Sequence, residues 1–260
     1  MQELKTVLIT GASEGIGRCF ADVFASNGHD LVLVARNQQK LDELASELRA
    51  KYEVVVQVIA ADLIPVEAAG LLFKRLAEMQ ISVDILVNNA GMMLVEKIYQ
   101  SDSLAINNIM QLNVQSLVNM THQFVAPMVG RGRGKILNVG SIASFMPTPT
   151  FSIYGASKAF VLSFSEGISE ELKDTGVTVT CVCPGITETQ MVGHAQGAEK
   201  FIPGFMKADP MQLAKDAYKA CMKGEVIYVD KLVNKAVVQW ARHYPRWMVR
   251  SVNGLFSKFS

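Results

Sequence analysis

Cysteine is scarce in this chain. Cys19, Cys181, Cys183 and Cys221 are the only four among 260 residues, and none forms a Cys-x-x-Cys pair. Their neighbours are apolar, so buried free thiols in a reducing cytosol are expected. The four histidines, His29, His122, His194 and His243, lack ligand spacing, and no metal site is expected. No apolar run approaches the roughly 20 residues needed to span a bilayer. The first residues lead into a strand rather than into a signal-peptide hydrophobic region, so a cytoplasmic setting is expected. Neither sign of charge dominates: 25 basic against 24 acidic residues, a net charge of +1, argues against a dedicated nucleic-acid binder.

Apolar residues are plentiful, at 50% of the chain, enough for a sizeable core. Short β-branched runs alternate with longer helical patterns. The expected strands are 5–10, 31–35, 54–59, 84–87, 134–139, 177–183 and 225–229. The expected helices lie near 15–28, 38–51, 65–80, 103–128, 152–174 and 209–223. Such alternation predicts an α/β fold, a doubly wound parallel seven-stranded sheet with helices on both faces and right-handed crossovers. VLIT, LVLVA, VVVQVI and DILV read as strands buried on both sides. One domain, 1–230, followed by an extension, 231–260, is the economical division.

Where the first strand meets the first helix stands TGASEGIG, residues 10–17. Glycine at 11, 15 and 17 permits a tight turn and a close approach of ligand to backbone. The helix N-terminus then offers free N–H groups and partial positive charge to a pyrophosphate. The spacing is Gly-x-x-x-Gly-x-Gly, not the Gly-x-Gly-x-x-Gly of the standard dinucleotide fingerprint. At the end of strand two, where an NAD site places a carboxylate on the ribose, the chain has Ala35-Arg36-Asn37. Arginine suits a 2′-phosphate, so NADP(H) is the expected cofactor.

Four further pieces follow in order: Asn88-Asn89-Ala90-Gly91, Asn113 in QLNVQS, Ser141 in NVGSIAS, and Tyr154-Gly-Ala-Ser-Lys158, with Pro184-Gly185 after the sixth strand. In this combination the chain resembles the short-chain dehydrogenase/reductase family through residues 5–230, which implies a Rossmann-type fold and an NADP-dependent oxidoreductase. Helix spacing puts Tyr154 and Lys158 on one face, where an ammonium lowers the phenol pKa and makes it a usable proton donor. The resemblance implies that Ser141 fixes the carbonyl oxygen and that Asn113 holds a water in a relay from Lys158. It further implies cofactor contacts from Gly11, Ser13, Gly15, Ile16, Gly17, Arg36, Asn37, Asp62, Leu63, Asn89, Ala90, Gly91, Tyr154, Lys158, Pro184, Gly185 and Thr187. Gly140, where the family often has serine, departs from the pattern mildly. The run Gly130–Gly134 reads as a polar turn.

Beyond Thr187, a substrate lid of about 188–208 carries Met191, Phe201, Ile202, Phe205 and Met206, and residues 145–151 form an opposing wall. Both are apolar, which favours a hydrophobic ketone or a 3-oxoacyl thioester over a sugar or phosphate ester. The resulting expectation is an NADPH-dependent carbonyl reductase, with a redox-sensing or scaffold protein of little turnover as the alternative. Residues 231–260 hold six basic and no acidic residues. If 242–259 is one helix, Tyr244, Trp247, Met248, Val252, Leu255 and Phe259 share a side opposite Arg242, Arg246 and Arg250, with Pro245 best placed in its first turn. That suits peripheral contact with anionic lipid, and equally docking on the domain or on a partner subunit. The resemblance implies a homo-dimer or homo-tetramer with contacts from the helices at 103–128 and 152–174, whose apolar faces equally suit packing on the sheet.

Overall fold

A computed structural model describes residues 5–186 and 208–256. Seven strands among these residues form one wholly parallel sheet: β1 Thr6–Thr10, β2 Asp30–Ala35, β3 Val56–Ala60, β4 Ile85–Asn88, β5 Gly134–Val139, β6 Val177–Cys183 and β7 Ile227–Val229. Their order is β3-β2-β1-β4-β5-β6-β7, so the winding reverses between β1 and β4. In parallel sheets of this kind the crevice at that reversal, outside the strand carboxyl ends, is where ligands bind. This is the doubly wound Rossmann-type architecture expected from the alternation of patterns.

Strand alternation sorts the core into two layers. Val7, Ile9, Leu31 and Leu33 point to the face covered by α1 (Gly15–Ser26), α2 (Gln38–Lys51) and α7 (Pro210–Lys223). Leu8, Val32 and Val34 point the other way, toward α3 (Ala68–Glu78), α5 (Leu117–Gly130) and the far end of α6 (Ser152–Glu171). The central strands are buried on both sides, but the edge strands β3 and β7 are only partly covered.

Three departures from the sequence expectations have local causes. The helix expected over 103–128 is α4 (Ser103–Met110), a π-helical segment (Gln111–Ser116) and α5, which carries Pro127 near its end. Segments of this type are rare and concentrate at functional sites. The helix expected from 65 starts at Ala68, after a turn in which Ala68 N–H donates to the Pro65 carbonyl. The helix considered over 242–259 is α9 (Arg246–Phe256), and a separate helix, α8 (Leu232–His243), precedes it; the two are divided because Tyr244 is extended ahead of Pro245, whose ring disfavours a helical predecessor. Pro245 does lie at the start of the second helix, its carbonyl accepting from Met248 and Val249 N–H.

The two C-terminal helices are docked on the domain. Asn234, Val238 and Ala241 of α8 and Val249 of α9 are buried. Val249 stands outside the apolar side drawn from the sequence, and Trp247 and Leu255, within it, are exposed at 63% and 58%. The Gly130–Gly134 turn has a structural role: Arg131 and Arg133 flank the buried Asp84, and Arg131 Nη2 donates to the Val83 carbonyl.

Candidate active site

Apart from Asn113, on the π-helical segment, the pieces of the candidate site come from the carboxyl ends of strands or from α6. At the end of β1, Gly11 adopts φ +63°, and a Cβ there would lie 2.9 Å from Ala90 Cα. A Cβ on Gly17 would lie 2.1 Å from the Gly11 carbonyl oxygen, so the first turn of α1 folds onto the loop before it only because side chains are missing. The N-cap of α1, Glu14, makes no side-chain cap hydrogen bond. The helix therefore presents N–H groups without a side-chain cap at the switch point. Ser13 and Ile16 belong to the same turn, and Ile16 also packs against the core.

The segment after β4 is sewn to this turn. Thr10 Oγ1 accepts from Asn89 N–H and Ala90 N–H, each at 3.0 Å, and donates to the Val87 carbonyl. Asn89 Nδ2 donates to the Thr10 and Gly11 carbonyls at 2.9 and 3.2 Å. Next to it, Asn88, Asn138 and Ser165 form a buried polar chain from β4 through β5 to α6. At the end of β2, Arg36 is exposed and has no hydrogen-bond or ion-pair partner among the described residues. Asn37 has a structural duty, since its Oδ1 caps α2 by accepting from Lys40 N–H at 3.0 Å. After β3, Asp62 is exposed and accepts from Ile64 N–H, while the Leu63 side chain is buried in the core.

Tyr154 and Lys158 stand one turn apart on α6, with the ammonium 5.8 Å from the centre of the phenol ring. Between them Gly155 has no room for a side chain, because a Cβ would meet Thr148 Oγ1 at 2.0 Å. Lys158 is buried, and its Nζ donates to the Val139 carbonyl at 2.7 Å. Burial brings its pKa down to about 8, against the upward pull of Cys181 and Cys183. The expected lowering of the Tyr154 pKa is not what the geometry gives. Burial pushes the phenol up, and a hydrogen bond with Ser141 pulls it back. The ammonium lies over the ring and is turned to Val139, not to the hydroxyl.

Ser141, two residues past the end of β5, caps a short 3-10 turn, Ile142–Phe145, its hydroxyl accepting from Ala143 N–H. Asn113, in the π-helical segment, is buried with both polar atoms engaged: Oδ1 accepts from Met92 N–H at 2.8 Å, and Nδ2 donates to the Met92 carbonyl and to Ser157 Oγ. Its side chain braces the chain after β4 against α6. A Cβ on Gly91 would lie 3.3 Å from Asn113 Oδ1 and 3.6 Å from Lys158 Nζ, so the cofactor-side loop and the catalytic helix meet at Gly91. Pro184 and Gly185 lie beside this cluster, the Pro184 carbonyl accepting from Ile142 N–H at 2.9 Å. Thr187 and the lid residues Met191, Phe201, Ile202, Phe205 and Met206 lie outside the described residues.

The site has members that sequence reasoning missed. Ser144 Oγ donates to the Lys158 carbonyl and accepts from Ser141 N–H, tying the serine turn to α6. Ser157 links Asn113 to the Tyr154 carbonyl. The C-terminal helices reach the wall at 145–151: the Arg242 guanidinium lies 4.8 Å from the Phe145 ring centre, and Asn253 Nδ2 donates to the Pro147 carbonyl at 2.7 Å. Asp230 and Asn234 hold Gly185. The i, i+3 spacing of Ser141 and Ser144 matches a capping box and was the one local signal available.

Residues 5–200 match the family model described as short chain dehydrogenase. A solved short-chain dehydrogenase from Sphingobium yanoikuyae, in complex with NADPH, is 36% identical and superposes with a TM-score of 0.82 over 99% of this chain and 97% of that one. The bulky-bulky ketone specific alcohol dehydrogenase from Comamonas testosteroni is 33% identical, with a TM-score of 0.79 over 100% of this chain and 96% of that one. Among curated relatives, the very-long-chain 3-oxoacyl-CoA reductase-B of Danio rerio is 36% identical over 192 residues, which is 72% of this chain and 61% of that protein.

Proposed function

The chain belongs to the short-chain dehydrogenase family, and from that premise we propose that it is an NADPH-dependent reductase of hydrophobic ketones or 3-oxoacyl thioesters. The observation that carries this reading is the meeting of Gly91, Asn113 and Lys158 beneath Tyr154 and Ser141, directly beside the glycine turn. The residues fit the cofactor: N–H groups of α1 without a side-chain cap for the pyrophosphate, a turn that only glycine at 11 and 17 lets fold back on itself and against Ala90, and exposed Arg36 for a 2′-phosphate. Ser13, Gly15 and Ile16 complete the turn, Asp62 and Leu63 flank the adenine side, Asn89 and Ala90 the ribose side, and Pro184 and Gly185 the nicotinamide side.

When bound, NADPH supplies the hydride. Ser141 hydrogen-bonds the carbonyl oxygen, and Tyr154 delivers the proton to that oxygen as negative charge develops on it. A phenol held above its ordinary pKa is fully protonated at neutral pH, as a donor must be. Lys158, with a pKa near 8, is close to the operating range and can restore the proton. Asn113 braces this arrangement and places the widened helical turn where a relay water can reach Lys158.

The half-buried Phe145, Met146 and Pro147 supply an apolar wall for a hydrophobic substrate. The ketone and 3-oxoacyl specificities named for the two relatives point in the same direction. Exposed Leu104, Met110 and Phe160 on α4 and α6 offer an apolar surface for a homo-oligomer. Exposed Trp247 and Leu255 beside Arg246 and Arg250 offer one for peripheral membrane contact in the cytoplasm.

The test follows NADPH consumption across long-chain 3-oxoacyl thioesters, bulky ketones and small polar ketones. Best turnover on a small polar ketone overturns the substrate assignment. Tyr154→Phe is expected to lose turnover by about 10³-fold while NADPH still binds. Retained turnover overturns the role of Tyr154.

A further inference from the structure

Asp230 follows β7, and its carboxylate is 4% exposed. Oδ1 accepts from Gly185 N–H and from Asn234 Nδ2, both at 2.8 Å. Oδ2 is buried and accepts no hydrogen bond among the described residues. A buried carboxylate with one oxygen unsatisfied is costly, and ending a strand does not require one. Asn234, from the first turn of α8, is 1% exposed. A Cβ on Gly185 would lie 2.1 Å from Asn234 Nδ2, so the loop after β6 can reach this pair only through a glycine. On its other side the same loop is held at Pro184 by Ile142, the residue after Ser141. The Pro184–Gly185 turn is thus fixed between the serine turn and the Asp230–Asn234 pair.

We propose that Asp230, supported by Asn234, is a positioning residue for the nicotinamide end of the cofactor, which makes the start of the C-terminal extension part of the cofactor site. The proposal rests on the reading of Pro184–Gly185 as the nicotinamide-side turn. Asp230 touches neither cofactor nor substrate in this scheme. It acts through the Gly185 amide, setting how far the turn stands from Ser141. The adenosine end is gripped elsewhere, at Arg36 and Asp62, beyond the far side of β1. That separation gives Asp230 a signature that a general stabilising role does not have.

The experiment titrates the full-length chain with NADPH and, separately, with 2′,5′-ADP, which carries the adenosine end alone. Asp230→Ala is expected to weaken NADPH binding about tenfold, the order expected for a lost hydrogen bond to a charged group, and to leave 2′,5′-ADP binding within twofold. Asp230→Asn, which keeps an acceptor for the Gly185 amide, is expected to recover most of the loss. Asn234→Ala leaves the carboxylate in place without its brace and should show the same split at about threefold. It carries the test if Asp230→Ala does not fold. Unchanged NADPH affinity in the Asp230→Ala or Asn234→Ala chain, or an equal loss for both ligands, overturns the positioning role. A native chain that binds neither ligand overturns the cofactor reading beneath it, and the proposal with it.

Discussion

Lys158→Met should make the ligand-free protein more stable while abolishing turnover. The ammonium is buried against the Val139 carbonyl, and burial moves its pKa from 10.5 to about 8. At ~1.36 kcal/mol per pH unit, holding that charge costs the folded state about 3 kcal/mol at neutral pH. Methionine removes the charge and keeps the length of the side chain, at the loss of one hydrogen bond to a carbonyl, about 1 kcal/mol. The net gain at pH 7 is about 2 kcal/mol, or a rise in Tm of roughly 4–8 °C for a chain of this size. The sign fixes the pH dependence. Below about pH 8 both folded and unfolded native chains hold the proton, and the full gap persists. Between about 8 and 10.5 the unfolded chain binds more protons than the folded one, so the native protein gains stability relative to the variant and the gap closes. Thermal unfolding of both proteins from pH 6 to 10.5 measures this. A variant less stable than the native chain at pH 7, or a gap that does not change with pH, refutes the reasoning.

Removing the exposed guanidinium by Arg36→Ala should raise the KM for NADPH at least about tenfold and leave that for NADH within a factor of two, as read from initial rates with each cofactor. An equal change for both cofactors counts against Arg36 as the 2′-phosphate ligand. Asn138→Ala cuts the buried chain between Asn88 and Ser165, where Asn138 is 0% exposed. It should cost about 2 kcal/mol and lower Tm by roughly 4–8 °C, which calorimetry would detect.

The parts of the molecule legible in the sequence are those whose causes are local. The strands fell where apolar runs are short and β-branched. Helix α2 fell at 38–51 as expected, because Asn37 caps it and Arg49 and Lys51 close it. The site motifs each sit on a strand end or on one helix face, so spacing alone brought Tyr154 beside Lys158. What stayed hidden depends on pairs distant in the chain. Nothing near Asp230 announces that its partner is the Gly185 amide, 45 residues earlier. Arg242 over Phe145, and Asn253 on Pro147 106 residues away, are hidden for the same reason. The pKa of Tyr154 was misjudged because helical periodicity places side chains on a face without saying which atoms meet. Once Nζ is turned to Val139, burial of the phenol decides.

A π-helical segment carries one residue more per turn than the helix around it, so 111–116 is in effect a one-residue insertion inside an otherwise regular rod. Deleting a single residue there would restore an ordinary helix and leave the helices on either side in the same phase, so the change would be confined to the widened turn itself. Asn113 grips Met92 on one side of that point, and Met120, Phe124 and Met128 are seated on the sheet on the other. Both flanking sets can then stay in place, and what is lost is the widened backbone that carries Asn113 to Met92. A one-residue deletion among these six positions is therefore felt at the site, through Asn113, more than in the fold.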